Sequence, residues 1–569
     1  MNPATALARV LADELIRCGV TEAVVAPGSR SAPLALALHA DPRIRMHVRI
    51  DERSAGFVAL GLGKMSGRPA ALVCTSGTAA ANLHPAVAEA AHAHVPLVVL
   101  TADRPPELRG TGANQVIDQL GLYGSAVRFF AEVGTPVAEP GMVGYWRSLT
   151  ARAVQAAVNQ AGPVHLNVGF REPLVPDGDR DWLEPLDGRA GGQPWTRIDR
   201  PARMPSPLSE LYPELPERGA VVVADGATGA DADAAVRLAE AAGWPVLSEP
   251  TGNARRGPNA VSTYPLLLAT ERFAARHRPD LVISVGKPGL SRSLLGWLHS
   301  TAGHVVVDPN PDWADPTRSA DRVVAAVPVL GVGHRQEAAA RPVTSWLAGW
   351  RRAEAAARTA IDSLLDGIDR LTEPGLAREL GRLVPADSLL FVGSSKPIRD
   401  FEAQLRPDLL AQVVANRGAS GIDGCVSSAV GAALAWQAAG GGPAYAVLGD
   451  LAYLHDRNGL VLGPDEARPD LCVIVVDNDG GGIFSLLPQA GIEGFERVFG
   501  TPHGANLAAD AAVTGIPVAE VSTTAELAGA VKPTAGLRVV RVRTDRAMET
   551  ELQHRLHAAV AGVVAELDH

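Results

Sequence analysis

Short, wholly apolar runs recur along this 569-residue chain, and each is followed by a stretch patterned for a helix. In the first third, Ala70–Cys74 and Leu97–Thr101 are such runs, with the turn Thr75-Ser76-Gly77-Thr78 and a helix to about His92 between them. Strands buried on both faces read as continuous hydrophobic segments, and an intervening helix returns the chain to form a parallel neighbour. The pattern restricts the fold to open parallel sheets covered by helices. Just upstream, Ile44, Met46, Val48 and Ile50 alternate with Arg43, Arg45, His47 and Arg49. That period of two predicts a half-buried strand with its apolar side inward. A helix from Asp51 to about Lys64 should follow, stopped by Gly67.

The same grammar returns twice. A Pro-, Gly- and charge-rich stretch over 176–216 reads as a linker. Beyond it come a strand at Ala220–Ala224, a helix to Ala242, and strands near Pro245–Ser248, Leu281–Val285 and His304–Asp308. The Ala/Arg-rich stretch Ser345–Leu365 should be a helix bridging to a third block. Strands are expected there at Ser388–Val392, Gln412–Ala415, Ala444–Leu448, Leu471–Val476 and Leu537–Val542, with a closing helix from about Ala547. At roughly 100–200 residues per domain, the length suits about three. The expected fold class is α/β: three consecutive domains over 1–185, 186–345 and 346–569, each an open, mainly parallel sheet flanked by helices.

Composition narrows the partners. No apolar run approaches the ~20 residues a membrane span needs. Met1–Val10 lacks a basic flank leading into an apolar stretch, so a cytoplasmic protein without membrane partners is expected. A net charge of −10 argues against a nucleic-acid surface. Cys18, Cys74, Cys425 and Cys472 form no CxxC pair and read as small core residues. The histidines have no metal-ligand spacing such as HExxH and read as surface or hydrogen-bonded core residues.

The most informative segment is Gly449-Asp450-Leu451, directly after an apolar strand, with Asp477-Asn478-Asp479-Gly480 after the next. Asp450 and Asn478 are 28 residues apart. Two parallel strands joined by one crossover helix would bring both to the carboxyl edge of a sheet, where such folds bind ligands. A carboxylate, an amide oxygen and a nearby carbonyl are hard donors that suit Mg²⁺. Gly480, Gly481 and Gly482 would let backbone amides approach a diphosphate.

Gly-Asp followed at this distance by an Asn-containing turn resembles the signature of the thiamine-diphosphate enzymes related to pyruvate decarboxylase. Leu451 stands where a Gly is commoner, and Asp477 where an Asn is usual. The resemblance implies that Asp450, Asn478 and the Gly480 carbonyl hold Mg²⁺ (or Mn²⁺), which anchors thiamine diphosphate. That cofactor needs a carboxylic acid to protonate its aminopyrimidine before C2 can be deprotonated. Glu52, between the strand ending at Ile50 and its helix, matches the family's strand–Glu–helix element. A Glu in a first helical turn can also be there only to offset the helix dipole.

Further motifs narrow the resemblance. Pro27-Gly28-Ser29-Arg30-Ser31, Asp51-Glu52-Arg53, Thr101-Ala102-Asp103-Arg104-Pro105 and Gly112-Ala113-Asn114-Gln115 occur in the first domain. The stretch from Asn416 to Gly424 and Gly480-Gly481-Gly482-Ile483-Phe484 occur in the third. In that order they are similar to the 2-succinyl-5-enolpyruvyl-6-hydroxy-3-cyclohexene-1-carboxylate synthase family of menaquinone biosynthesis. The resemblance implies a transferase that decarboxylates 2-oxoglutarate and adds the succinyl-semialdehyde carbanion to isochorismate in a 1,4 manner. It implies a pyrimidine-binding first domain, a diphosphate-binding third domain, and a homodimer or homotetramer with the active site at the subunit interface. By resemblance Thr75, Ser76, Gly77, Ser420, Ile422, Gly449, Leu451, Gly481, Ile483 and Phe484 surround the cofactor. Ser29, Arg30, Asn114, Gln115, Ser395, Arg399, Ile483 and Phe484 face the substrates, and Arg30, Gln115 and Arg399 join Glu52 as catalytic residues. Both substrates are dicarboxylates, which the planar fork of arginine suits best. Arg30, Arg292, Arg399 and Arg417 are expected in loops at strand ends, Arg292 following Ser291 where the family often has Lys. Asp103-Arg104-Pro105 reads as a structural edge closed by an internal ion pair.

A different thiamine enzyme, acetolactate-synthase-like or a 2-oxoacid decarboxylase, is the alternative. A nicotinamide enzyme would need GxGxxG after a strand, whereas Gly61-Leu62-Gly63 falls in mid-helix and Gly226-Ala227-Thr228-Gly229 lacks the pattern.

Overall fold

A computed structural model describes residues 1–178, 182–199, 203–340, 343–407 and 409–567. The first sheet contains β1 (Glu22–Val25), β2 (Arg45–Val48), β3 (Ala70–Cys74), β4 (Leu97–Asp103), β5 (Phe129–Glu132) and β6 (Pro163–Gly169). The second contains β7 (Gly219–Val223), β8 (Val246–Ser248), β9 (Leu281–Val285), β10 (Gly303–Val307) and β11 (Arg322–Val324). The third contains β12 (Leu389–Val392), β13 (Gln412–Val414), β14 (Ala444–Gly449), β15 (Leu471–Asp477), β16 (Val518–Val521) and β17 (Leu537–Arg543). The spatial orders are β2-β1-β3-β4-β6-β5, β11-β10-β9-β7-β8 and β13-β12-β14-β15-β17-β16. Every pairing between these strands is parallel.

All three sheets therefore start alike. The chain steps outward from the first strand of each sheet, then crosses back to its other side. The resulting switch points lie between β1 and β3, β7 and β9, and β12 and β14. At a switch point the flanking loops diverge and leave a crevice beyond the carboxyl ends of the strands. The candidate site residues cluster at the first and third of these crevices. The central strands have no exposed residue: β3, β4, β6 and β15 are buried throughout. Among the described residues no helix is long and apolar enough to cross a membrane.

One expectation is inverted at β2. Ile44 is buried, but Ile50 is 78% exposed, while His47 and Arg49 are buried. Charge partners decide the burial. His47 Nε2 meets Glu22 Oε2 at 3.0 Å, and Arg49 Nη1 meets Glu466 Oε2 at 3.1 Å. Beside its carboxylate partner the buried Arg49 guanidinium loses far less than an unpaired one would.

The helix Glu52–Ser66 crosses the helix Cys425–Ala438 of the third domain almost backbone to backbone. A Cβ on Gly61 would lie 2.2 Å from the Ser428 carbonyl oxygen, and one on Gly431 would lie 2.1 Å from that of Val58. The crossing also explains why Gly61 sits in mid-helix, whereas Gly63 faces the turn before β4, where a Cβ would lie 2.9 Å from the Pro96 carbonyl oxygen. Gly61→Ala is expected to cost about 1–3 kcal/mol, since overpacking forces backbone shifts. Its thermal unfolding midpoint would fall; an unchanged midpoint would show that the crossing yields freely. The expected bridging helix runs Ser345–Asp366, and Trp346, Trp350 and Ile361 pack with Leu267 of the middle domain and Leu552 of the closing helix Arg546–Glu566.

Candidate active site

At the third switch point, β14 ends at Gly449, whose register partner on β15 is Val476. That alignment puts the two following turns side by side. The Asn478 and Gly480 amides donate to Asp450 Oδ2 at 3.2 and 2.8 Å, and the Leu451 amide donates to Asp450 Oδ1 at 2.7 Å. Burial pushes the Asp450 carboxyl up, and the Gly480 and Leu451 amides oppose that shift. Gly480 adopts φ +139°, where a Cβ would come 2.0 Å from the Gly500 carbonyl oxygen. The three glycine amides are not free for an anion, contrary to expectation. Those of Gly480, Gly481 and Gly482 donate to Asp450, Gly500 and Gly480 respectively. The glycines supply room instead of donors.

The Asn478 Oδ1 atom is buried without a hydrogen-bond partner, while its Nδ2 donates to Glu373 Oε1 at 2.8 Å. An orphaned buried carbonyl oxygen beside a carboxylate is the donor set a hard cation takes. The pocket in front of it is lined by Ser395, Lys396, Ile422, Gly449, Asp450, Leu451, Asn478, Gly480, Gly481, Ile483 and Phe484, among others. Most of the expected diphosphate-end residues are thus brought together.

Some residues of this pocket escaped the sequence reading. Lys396 is buried between Glu373 (2.6 Å) and Asp400 (2.8 Å). Burial would raise Glu373, yet the Lys396 ammonium and the Asn478 and Thr544 donors hold its carboxyl below the usual range. His503 Nε2 lies 3.3 Å from Asp450 Oδ2. Asp450, Asp477 and His503 offer ligand atoms within 4.8 Å of one another. Asp477 is already engaged by Arg541, at 2.7 Å to Nε and 2.6 Å to Nη2, which favours Asn478 over it as a ligand.

At the first switch point the loops after β1 and β3 interlock. A Cβ on Gly28 would fall 2.2 Å from Thr75 Cβ. The loop carrying Gln115 closes over Ser76: Ser76 Oγ donates to the Gln115 carbonyl and Gln115 Nε2 to the Ser76 carbonyl, each at 3.0 Å. Gly77, at φ +85°, donates to Gln119 Oε1. Ser29, Asn114 and Gln115 are exposed, whereas Arg30 is buried and donates to the Phe170 carbonyl at 3.0 Å. Burial, then neighbouring Arg104, holds the Arg30 guanidinium below its ordinary range. Asp103 pairs with Arg109 at 2.9 Å, not with Arg104, which reaches the Asn114 carbonyl. Glu52 opens its helix, half-buried, and its charge contributes to raising the Cys74 thiol behind the dominant effect of burial. Cys74, Cys425 and Cys472 are buried and Cys18 half-buried; all four are free thiols.

Between the domains, the Arg399 side chain is exposed, yet its crowded surroundings first, then Arg417 and, more weakly, Arg292 hold its guanidinium below its ordinary range. Three of the four expected arginines therefore share one locale. Two are not in loops. Arg292 opens the helix Arg292–His299, capped by Ser291, whose side chain accepts from the Leu294 amide, and Arg399 lies within Lys396–Gln404. Ser420 does not line the pocket; its amide joins those of Gly418 and Ala419 in donating to Glu89 of the first domain.

Among the described residues, none from the first domain lines the pocket beside Asp450 and Asn478. The Glu52 end of its helix rests on the last turn of the helix Asp450–Asp456 and the residues just after it: Asn458 Nδ2 donates to Asp51 Oδ2 at 3.0 Å, and Ser54 Oγ to Asp456 Oδ1 at 3.4 Å.

Comparison with known proteins gives the family. Residues 5–122 match the model of the thiamine pyrophosphate enzyme N-terminal TPP binding domain, and 180–392 match the middle domain of thiamine pyrophosphate enzymes. A 2-succinyl-5-enolpyruvyl-6-hydroxy-3-cyclohexene-1-carboxylate synthase from Thermobifida fusca is 58% identical, covering 99% of this chain and 100% of that protein. The chain belongs to this synthase family. Proteins of the same name from Saccharopolyspora erythraea and Kineococcus radiotolerans are 48% and 44% identical, each covering 99% of this chain and all of its own length. The synthase family is one of thiamine-diphosphate-dependent enzymes that form a carbon–carbon bond by transfer, and the pocket under β14 and β15 lies outside both matched models except for Glu373.

Proposed function

We propose that this chain decarboxylates 2-oxoglutarate and adds the succinyl-semialdehyde fragment to isochorismate, giving the product for which its synthase relatives are named. Thiamine diphosphate, when bound, supplies the carbon nucleophile for that transfer. Asp450, Asn478 and the Gly480 carbonyl hold Mg²⁺ or Mn²⁺ against its diphosphate. The observation that carries this is the buried, partnerless Asn478 Oδ1, on a residue that lines the same pocket as Asp450. Ile422, Ile483 and Phe484 keep water from the reacting end. Arg292, Arg399 and Arg417, with Arg30, draw the substrate carboxylates, because guanidinium–carboxylate pairs are strong where water is excluded. Glu52, Thr75–Gly77, Ser29, Asn114 and Gln115 complete the site from a second copy of the chain, so the working enzyme is a homo-oligomer with its sites at the subunit interface. The one-chain pocket, which has no first-domain residue among those described, supports that arrangement.

The test offers isochorismate with either 2-oxoglutarate or pyruvate, in thiamine diphosphate and Mg²⁺, and follows isochorismate absorbance. Loss with 2-oxoglutarate is expected; loss with pyruvate alone would overturn the donor and favour an acetolactate-synthase-like enzyme. Arg399→Met is expected to raise the KM of at least one dicarboxylate roughly ten- to a hundredfold, the weight of one charged hydrogen bond. Unchanged KM values for both substrates would take Arg399 out of the substrate set.

A further inference from the structure

We infer that Glu373 is a positioning residue that decides which way the Asn478 amide faces, turning its nitrogen into the protein and its oxygen toward the metal. The inference rests on the metal reading above and goes beyond it, because no ligand role is given to Glu373 itself. An asparagine side chain ends in two groups of nearly equal size, one a donor and one an acceptor. Only the oxygen can hold a cation, so an amide free to turn would present the wrong end part of the time.

Glu373 removes that freedom. It opens the helix Glu373–Leu383, capped by Thr372, and is only 4% exposed. Its Oε1 accepts from Asn478 Nδ2 at 2.8 Å and from Thr544 Oγ1 at 3.0 Å, while Oε2 receives the Lys396 ammonium at 2.6 Å. Each of these three partners is a donor. Turning the Asn478 amide would set its oxygen against Oε1, oxygen to oxygen, in a buried site where such a contact is not relieved by water. The remaining end, Oδ1, is the atom left buried without a partner. Glu373 also borders the pocket, so its influence is exerted within the site. Outer partners of metal ligands commonly carry this task.

The test is Mn²⁺ titration of the whole protein with thiamine diphosphate, read from the paramagnetic resonance signal of the free ion. Four forms are compared: unmodified, E373Q, N478D and E373Q/N478D. E373Q removes the acceptor-only partner and is expected to weaken Mn²⁺ binding roughly tenfold or more. In E373Q/N478D the hydrogen bond runs in reverse, from the glutamine nitrogen to the aspartate, and one oxygen again faces the cation. Adding N478D should therefore raise affinity more on top of E373Q than in the otherwise unmodified chain, where two carboxylates collide. E373Q binding within twofold of the unmodified protein, or effects that simply multiply, would overturn the inference. If E373Q does not fold on its own, E373Q/N478D against N478D decides: tighter binding by the double variant supports the inference, equal or weaker binding overturns it. No Mn²⁺ binding by the unmodified protein would sink the metal reading, and this inference with it.

Discussion

Asp450→Ala is expected to lose thiamine diphosphate and Mg²⁺ together, with affinity falling by more than the roughly hundredfold that an outer partner alone can cost. Two effects add. The variant lacks the only carboxylate expected to touch the metal. It also leaves the Asn478 and Gly480 amides, now directed at Asp450 Oδ2, without an acceptor. A buried donor left unpaired costs about 1–3 kcal/mol, so the turn that presents Asn478 would reorganise. Asp450→Asn keeps an acceptor for the amides but removes the charge, and should fall between. Calorimetric titration with thiamine diphosphate in Mg²⁺ reads both. Unmodified affinity in Asp450→Ala would remove this residue from the anchor.

Glu52→Gln should behave in the opposite way, with cofactor affinity kept and turnover lost by roughly a hundred- to ten-thousandfold, the usual weight of a positioned acid or base. The fold does not depend on Glu52, because Asp51 caps the helix by accepting from the Arg53 and Ser54 amides at 2.9 and 3.3 Å. What the glutamine cannot do is give up a proton to the aminopyrimidine and take it back. Hydrogen–deuterium exchange at C2 of the bound cofactor, followed by NMR after acid quench, isolates that step from substrate binding. Exchange at the unmodified rate would take Glu52 out of the proton pathway.

What the sequence disclosed was what neighbours in sequence decide. The βαβ runs stood out because strands buried on both faces leave continuous apolar stretches, and Ala70–Cys74 and Leu281–Val285 fall where expected. The Asp450 and Asn478 turns were legible because each directly follows such a run. Short edge strands such as β5, β11 and β16 carried no comparable signal, since their burial patterns are mixed. Partners distant along the chain were hidden. Glu373 is 105 residues from Asn478, His503 is 53 from Asp450, and Glu89 is 329 from the Gly418 amide it receives. β2 failed for the same reason: Arg49 is buried by a glutamate 417 positions away. Asp477, which resembled part of the metal turn, proved to belong to Arg541 on the adjoining strand.

The contact between Gly61 and the Ser428 carbonyl, mirrored by Gly431 against Val58, has a bearing on how such enzymes can be recombined. A seam made by missing side chains offers no pockets to which a foreign surface could adapt. Grafting the first domain of a distant relative onto this chain would need both glycine-bearing helices to travel together. Breakpoints placed between them should yield insoluble hybrids, and those that keep the pair intact should yield folded ones.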